Sequence, residues 1–156
     1  MSQARPMLKI LHAGAGLMAL LLIATFWLST VVVELFGTPT AVVMVKTAIP
    51  WGFWLLIPAM AAAGGSGVAL VKGHRGGRVG AKLKRMPLIA ANGLFVLIPA
   101  ALILASKAEA RTFDATFYVV QGFEILAGAV NIALLGRNLR DGLALTRNRR
   151  DTRPRR

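Results

Sequence analysis

Four apolar stretches, about 10–36, 51–71, 86–105 and 115–135, contain the carboxylates Glu34 and Glu124 but no lysine or arginine. Each is near the ~20 residues that a helix needs to cross ~30 Å of hydrocarbon. The expected fold is therefore all-α, an integral membrane four-helix bundle. Residues 1–136 would form the four-helix transmembrane domain and residues 137–156 a basic tail, with nothing left over for a soluble domain. The chain is 56% apolar yet carries a formal charge of +13 over 156 residues, so apolar and basic residues must be segregated along it.

The first stretch follows Arg5 and Lys9, as a secretory signal would. Its apolar core is longer than the ~7–15 residues of a signal, and no small-residue cleavage site ends it before Glu34. It reads as a retained helix. The chain has no cysteine, which excludes disulfides, thiolate-held zinc, iron–sulfur clusters and covalently attached c-type haem.

Charge placement predicts orientation. Arg5 and Lys9 precede the first helix, and Lys72, Arg75, Arg78, Lys82, Lys84 and Arg85 fill the middle loop with no acid among them. The tail runs from Arg137 through Arg140 to the cluster Arg147–Arg156. In a four-crossing chain these regions share one side. The other side has only Lys46, Lys107 and Arg111, set against Glu34, Glu109 and Asp114, so both termini are expected inside (N-in/C-in), in a bacterial inner membrane. The tail lacks aromatic interleaving and any nucleic-acid-binding module. Its expected partner is anionic lipid at the cytoplasmic face, not nucleic acid, and its last residues, around Pro154, are expected to be disordered.

Within the spans, 38–50 is apolar enough to be helical, but joined to 51–71 it is too long for an untilted crossing. Trp51 and Trp54 then read as interfacial anchors, with Lys46 just outside the hydrocarbon. Pro58 and Pro99 are expected to kink their helices. The small residues Ala61, Gly65 and Ala69 recur every fourth position, a pattern by which membrane helices pack closely; a flat cofactor or a lipid tail against Gly64 and Gly67 is the other reading.

Polar residues in hydrocarbon are costly and so informative. Gln121, Glu124, Gly128 and Asn131 are spaced three, four and three apart, which places them on one helical face. Asn92 and Ser66 lie at about the depth of Asn131, and His12 about one turn inside the first helix, giving a candidate constellation of His12, Ser66, Asn92 and Asn131.

His12 and His74 are the two histidines of the chain, and the topology brings both to the cytoplasmic side. Together they supply two candidate axial metal ligands for one b-type haem. Gly16, Gly64 and Gly67 leave room for a flat ring, and Arg75, Arg78 and Arg137 are candidates to hold its propionates. Met18 and Met60 are alternative ligands. Four crossings, both ends inside and a Leu11–His12 pair opening the first helix resemble the small four-helix membrane cytochromes of the cytochrome-b type. That resemblance implies haem b and electron transfer. The sequence departs from it in having no histidine within the second, third or fourth spans, which limits the expectation to one haem near the cytoplasmic face.

Two other classes stay open. Glu124, with Gln121 a turn away, suits a small proton- or cation-coupled transporter, and short-looped helices suit an accessory or assembly subunit, in a homo-oligomer or a larger membrane complex. A soluble-type enzyme is disfavoured, since there is no paired-carboxylate motif and the glycine-rich run near Gly64 lacks the lysine of a phosphate loop.

Overall fold

The computed structural model describes the backbone of residues 4–71 and 77–151, with side chains described within 5–70 and 84–144. These residues form α1 (Ala4–Phe36), α2 (Pro39–Val71), α3 (Gly77–Asn92), a π-helical turn at Gly93–Leu97, α4 (Ile98–Glu109) and α5 (Ala115–Asp151). The third crossing is α3, the π turn and α4 together. Four helical segments, 5–36, 39–70, 84–109 and 115–144, are long and apolar enough to cross a membrane, so the chain is a multi-pass helical membrane protein. No residue range of the sequence reading lost its helix, but every helix is longer than its apolar stretch.

The largest difference is at α2, which begins at Pro39 and runs through 38–50 without a break. The start is encoded locally. Gly37 donates its N–H to Val33 O at 2.9 Å, and a Cβ there would stand 2.5 Å from that oxygen, so the tight exit from α1 requires glycine. Thr38 Oγ1 accepts from Ala41 N at 3.3 Å, and Pro39 sits at the first helical position, where its missing N–H costs nothing. At the other end of the chain, α5 continues through the basic tail to Asp151; residues 152–156, including Pro154, lie outside the described residues.

Pro58 lies inside the continuous α2, whereas Pro99 follows a change of helical register. It cannot donate to the carbonyl one turn earlier, and the π turn at Gly93–Leu97 immediately before α4 absorbs the missing bond. After α4, Arg111 takes φ 52°. Its N–H bonds Ala108 O at 2.9 Å and Thr112 N–H bonds Lys107 O at 2.8 Å, the paired closure of a Schellman motif with arginine in the place usually held by glycine. Asp114 then caps α5, its Oδ1 accepting from Phe117 N at 2.9 Å.

The crossings form a ring in which α1 packs on α2, α2 on α4, α4 on α5 and α5 on α1, while α3 leans towards α5 and touches α2 little. One apolar cluster joins Ala19 and Ile23 to Leu56 and Ala59. A second, at the acidic end, joins Val42, Leu104, Ala108 and Phe117. Trp51, Trp54, Phe95 and Phe123 point outward, as lipid-facing side chains do. The small-residue seam does not lie where its spacing suggested: Ala61, Gly65 and Ala69 are exposed, and the buried stripe of α2 is Leu56, Ala59, Ala63 and Ser66. Spacing identifies a stripe but not which of two adjacent stripes meets a neighbour.

Candidate functional site

Between α1, α2, α3 and α5 lies a largely apolar cavity of about 1120 Å³, larger than the ~300–1,000 Å³ typical of small-molecule sites. It runs from Arg5 and Lys9 at the basic end to Thr30 and Glu124. Its width comes from missing side chains and from the parting of α2 from α3. A Cβ added at Gly16 or Gly64 would meet nothing within 4 Å, so both glycines border open space.

His12, Gly16, Gly64, Gly67 and Asn131 all line this cavity. His12 is half-buried, its Nδ1 2.9 Å from Ala63 O and 3.2 Å from Ser66 Oγ. The carbonyl can only accept, and the Ser66 hydroxyl donates to Ala62 O. Nδ1 therefore carries a proton and donates it to the carbonyl, which fixes the orientation of the ring. Gly67 makes this approach possible: a Cβ there would stand 3.1 Å from His12 Cε1.

Asn92 and Asn131 form a second polar contact. Asn92 Nδ2 donates to Asn131 Oδ1 and to Ala127 O, each at 2.9 Å, and Asn131 is fully buried. The sequence constellation thus resolves into two bonded pairs, His12–Ser66 and Asn92–Asn131, with His12 and Asn131 bordering one cavity. His74 and Arg75 lie outside the described residues, as does the side chain of Arg78. Arg5 and Lys9, read in the sequence as topological charges, also line the cavity's basic end. Met60 lines the cavity, whereas Met18 borders a small outward-facing groove on α1.

At the acidic end the polar residues fill space. Lys46 is 1% exposed and lies inside the bundle. Its Nζ lies 2.6 Å from Glu124 Oε2 and donates to Thr30 Oγ1 at 3.3 Å, while Gln121 Nε2 donates to the same Glu124 oxygen at 3.1 Å. The face of α5 carrying Gln121, Glu124 and Asn131 points inward. Gly128, on the same arc, has another task. It receives Trp27, whose Cδ1 would lie 2.6 Å from an added Cβ and whose Nε1 donates to Ile125 O at 2.8 Å. No local pattern announces Lys46, because its partner is 78 residues away.

Among the described residues, no three His, Cys, Asp or Glu side chains gather as a metal-ion site. A haem needs no such group, because the porphyrin supplies the equatorial ligands. No family model matches the chain, and no curated protein or solved structure does either.

Proposed function

We propose that the protein spans a bacterial inner membrane with both ends in the cytoplasm and holds one b-type haem in the cavity beside His12, for electron transfer. The observation that carries this reading is the His12 ring, oriented through Nδ1 by the Ala63 carbonyl and bordering a cavity left open by Gly16 and Gly64. A backbone carbonyl on Nδ1–H is the usual way a protein orients a ligating imidazole and strengthens it as a base. A bound haem would supply one-electron chemistry.

The residues present suit such a group. His12 binds, Ala63 orients it, and Arg5 and Lys9 at the basic end offer cations for propionates. The apolar walls exclude water, which raises the strength of each polar contact inside. His74 is proposed as the second residue that would hold the iron, and Arg75 and Arg78 would be further cations for the propionates. In the proposed topology the middle loop and tail, rich in arginine, share the cytoplasmic side and favour an anionic lipid surface.

An absorption spectrum of the purified protein, oxidised and then dithionite-reduced, tests the proposal. The expected result is a Soret band with sharp reduced α and β bands, converted to a high-spin spectrum or lost in His12→Ala. Gly64→Leu, which fills the cavity without touching a ligand, should lower haem content while the protein stays folded. A colourless wild type after expression with ample haem would overturn the reading. Reporters fused after Arg156 and near Gly76 should register cytoplasm, and those near Pro39 and Ala110 the outside; a periplasmic signal at Arg156 would overturn the topology.

A further inference from the structure

The acidic-end cluster has a charge imbalance that the haem reading does not use. Lys46 of α2 is ion-paired with Glu124 of α5, and a second carboxyl, Glu34 of α1, acts on the same ammonium through its charge. Lys46 and the Gln121 amide both donate to Glu124 Oε2, so Glu124 is the ionised partner and the pair is neutral. Glu34 is then in excess. A second carboxylate beside a satisfied ion pair in an apolar bundle has no countercharge.

Two buried atoms add an independent observation. Among the described residues, Glu34 Oε1 and Gln121 Oε1 have no hydrogen-bond partner, and Gln121 is 4% exposed. Both are acceptors. One added proton cancels the surplus charge and supplies the donor that the cluster lacks.

We propose that Glu34, Lys46, Gln121 and Glu124 form a proton-binding site in which Glu34 carries one exchangeable proton. Glu34 takes the proton from hydronium, leaving water and a neutral carboxyl, with no change in electron count. Access follows from position: Glu34 is half-buried, two residues before α1 ends at Phe36, while Glu124 borders the cavity. The site thus stands between the acidic end of the bundle and the cavity. α4 packs against Val33 and Val42 through apolar Leu104 and Ala108, and Lys107 is engaged by Asp114. The charges acting on Glu34 are accordingly those of Lys46 and Glu124.

Infrared pH-difference spectroscopy of the detergent-purified protein tests this without reference to haem, since any propionate signal is common to all variants. The wild type should show one protonated-carboxyl C=O band at neutral pH, shifted in D2O and lost on alkalinisation. Glu34→Gln should abolish it, and Lys46→Gln should add a second band as Glu124 loses its cation. If Glu34→Gln does not fold, Glu124→Gln decides in its place: Glu34 becomes the sole counterion of Lys46 and the band should vanish. Persistence of the band in Glu34→Gln, or in Glu124→Gln, overturns the assignment, as does a wild type with no such band.

Discussion

The two halves of the bundle use polar residues in opposite ways. At the acidic end Thr30, Lys46, Gln121 and Glu124 come from three helices and meet at hydrogen-bond distance, so the polar groups themselves occupy the interior. At the basic end His12 and Asn131 are each tied to a neighbouring helix, yet a cavity stays open between them. The difference lies in what surrounds the polar groups. α2 supplies glycines beside His12 and a long lysine beside Glu124. A filled polar layer holds the helices in register, and an open one leaves space for a ligand.

The strongest way to break the filled half is Lys46→Met. Removing one partner of a buried pair leaves Glu124 uncompensated, and the expected loss is ~3–5 kcal/mol. The double variant Lys46→Met/Glu124→Leu should recover a large part of it, since no buried charge is then left from that pair. Thermal unfolding in detergent reads both. A double variant as unstable as Lys46→Met would mean that the pair acts by packing and not by charge.

Two glycines of α2 sharpen the same contrast. Gly52 is the socket for the Phe26 ring, and an added methyl there would fall well inside van der Waals contact with Phe26 Cζ. Gly52→Ala should cost about 1–3 kcal/mol through overpacking. Gly64→Ala projects into open space, so it should be neutral or stabilising, by up to ~1 kcal/mol of helix propensity. Equal effects in unfolding assays would contradict the picture of one filled and one open half.

A smaller effect is expected at the Asn92–Asn131 bond. Polar contacts between membrane helices average ~0.6 kcal/mol and reach ~1.7, because the separated helices find other partners. Asn131→Ala should fall in or slightly above this range, as it also leaves Asn92 Nδ2 with only Ala127 O. A double-mutant cycle with Asn92→Ala isolates the pairwise part. A coupling indistinguishable from zero would show that the two asparagines merely share a space.

How far the sequence carried depends on whether the information was local. Helix number came from hydropathy, and the inward face of α5 from the three–four–three spacing of Gln121, Glu124, Gly128 and Asn131, both readable within one segment. The start of α2 at Pro39 was equally local, in Gly37, Thr38 and Pro39. The burial of Lys46 was not, because it depends on a carboxylate 78 residues away. The cavity was half legible: His12, Gly16, Gly64 and Gly67 do border it, but Arg5 and Lys9 looked like topology signals, and nothing in α3 foretold its separation from α2.

The smallest expected effect concerns the exposed counterpart of the buried ion pair. Asp114 accepts Lys107 Nζ at 2.7 and 3.0 Å and caps α5 through Phe117 N. The Lys107 hydrogen bond, followed by the Phe117 amide, holds its carboxyl below the usual carboxylate range. A depressed folded-state value means that the associated stability is fully present above the unfolded value of ~3.9 and is lost as pH falls through the folded one. Unfolding midpoints should therefore be insensitive to this residue's titration near neutrality and fall in acid. Asp114→Asn should show a shallower acid limb, and Lys107→Ala an intermediate one, since the Phe117 contact survives. Salt separates the two ion pairs further: at an exposed site the Lys107–Asp114 attraction should weaken as the Debye length shrinks from ~10 Å towards ~3 Å, whereas Lys46–Glu124 should barely respond. Equal salt sensitivity in Lys107→Ala and wild type would show that capping alone accounts for the acid limb.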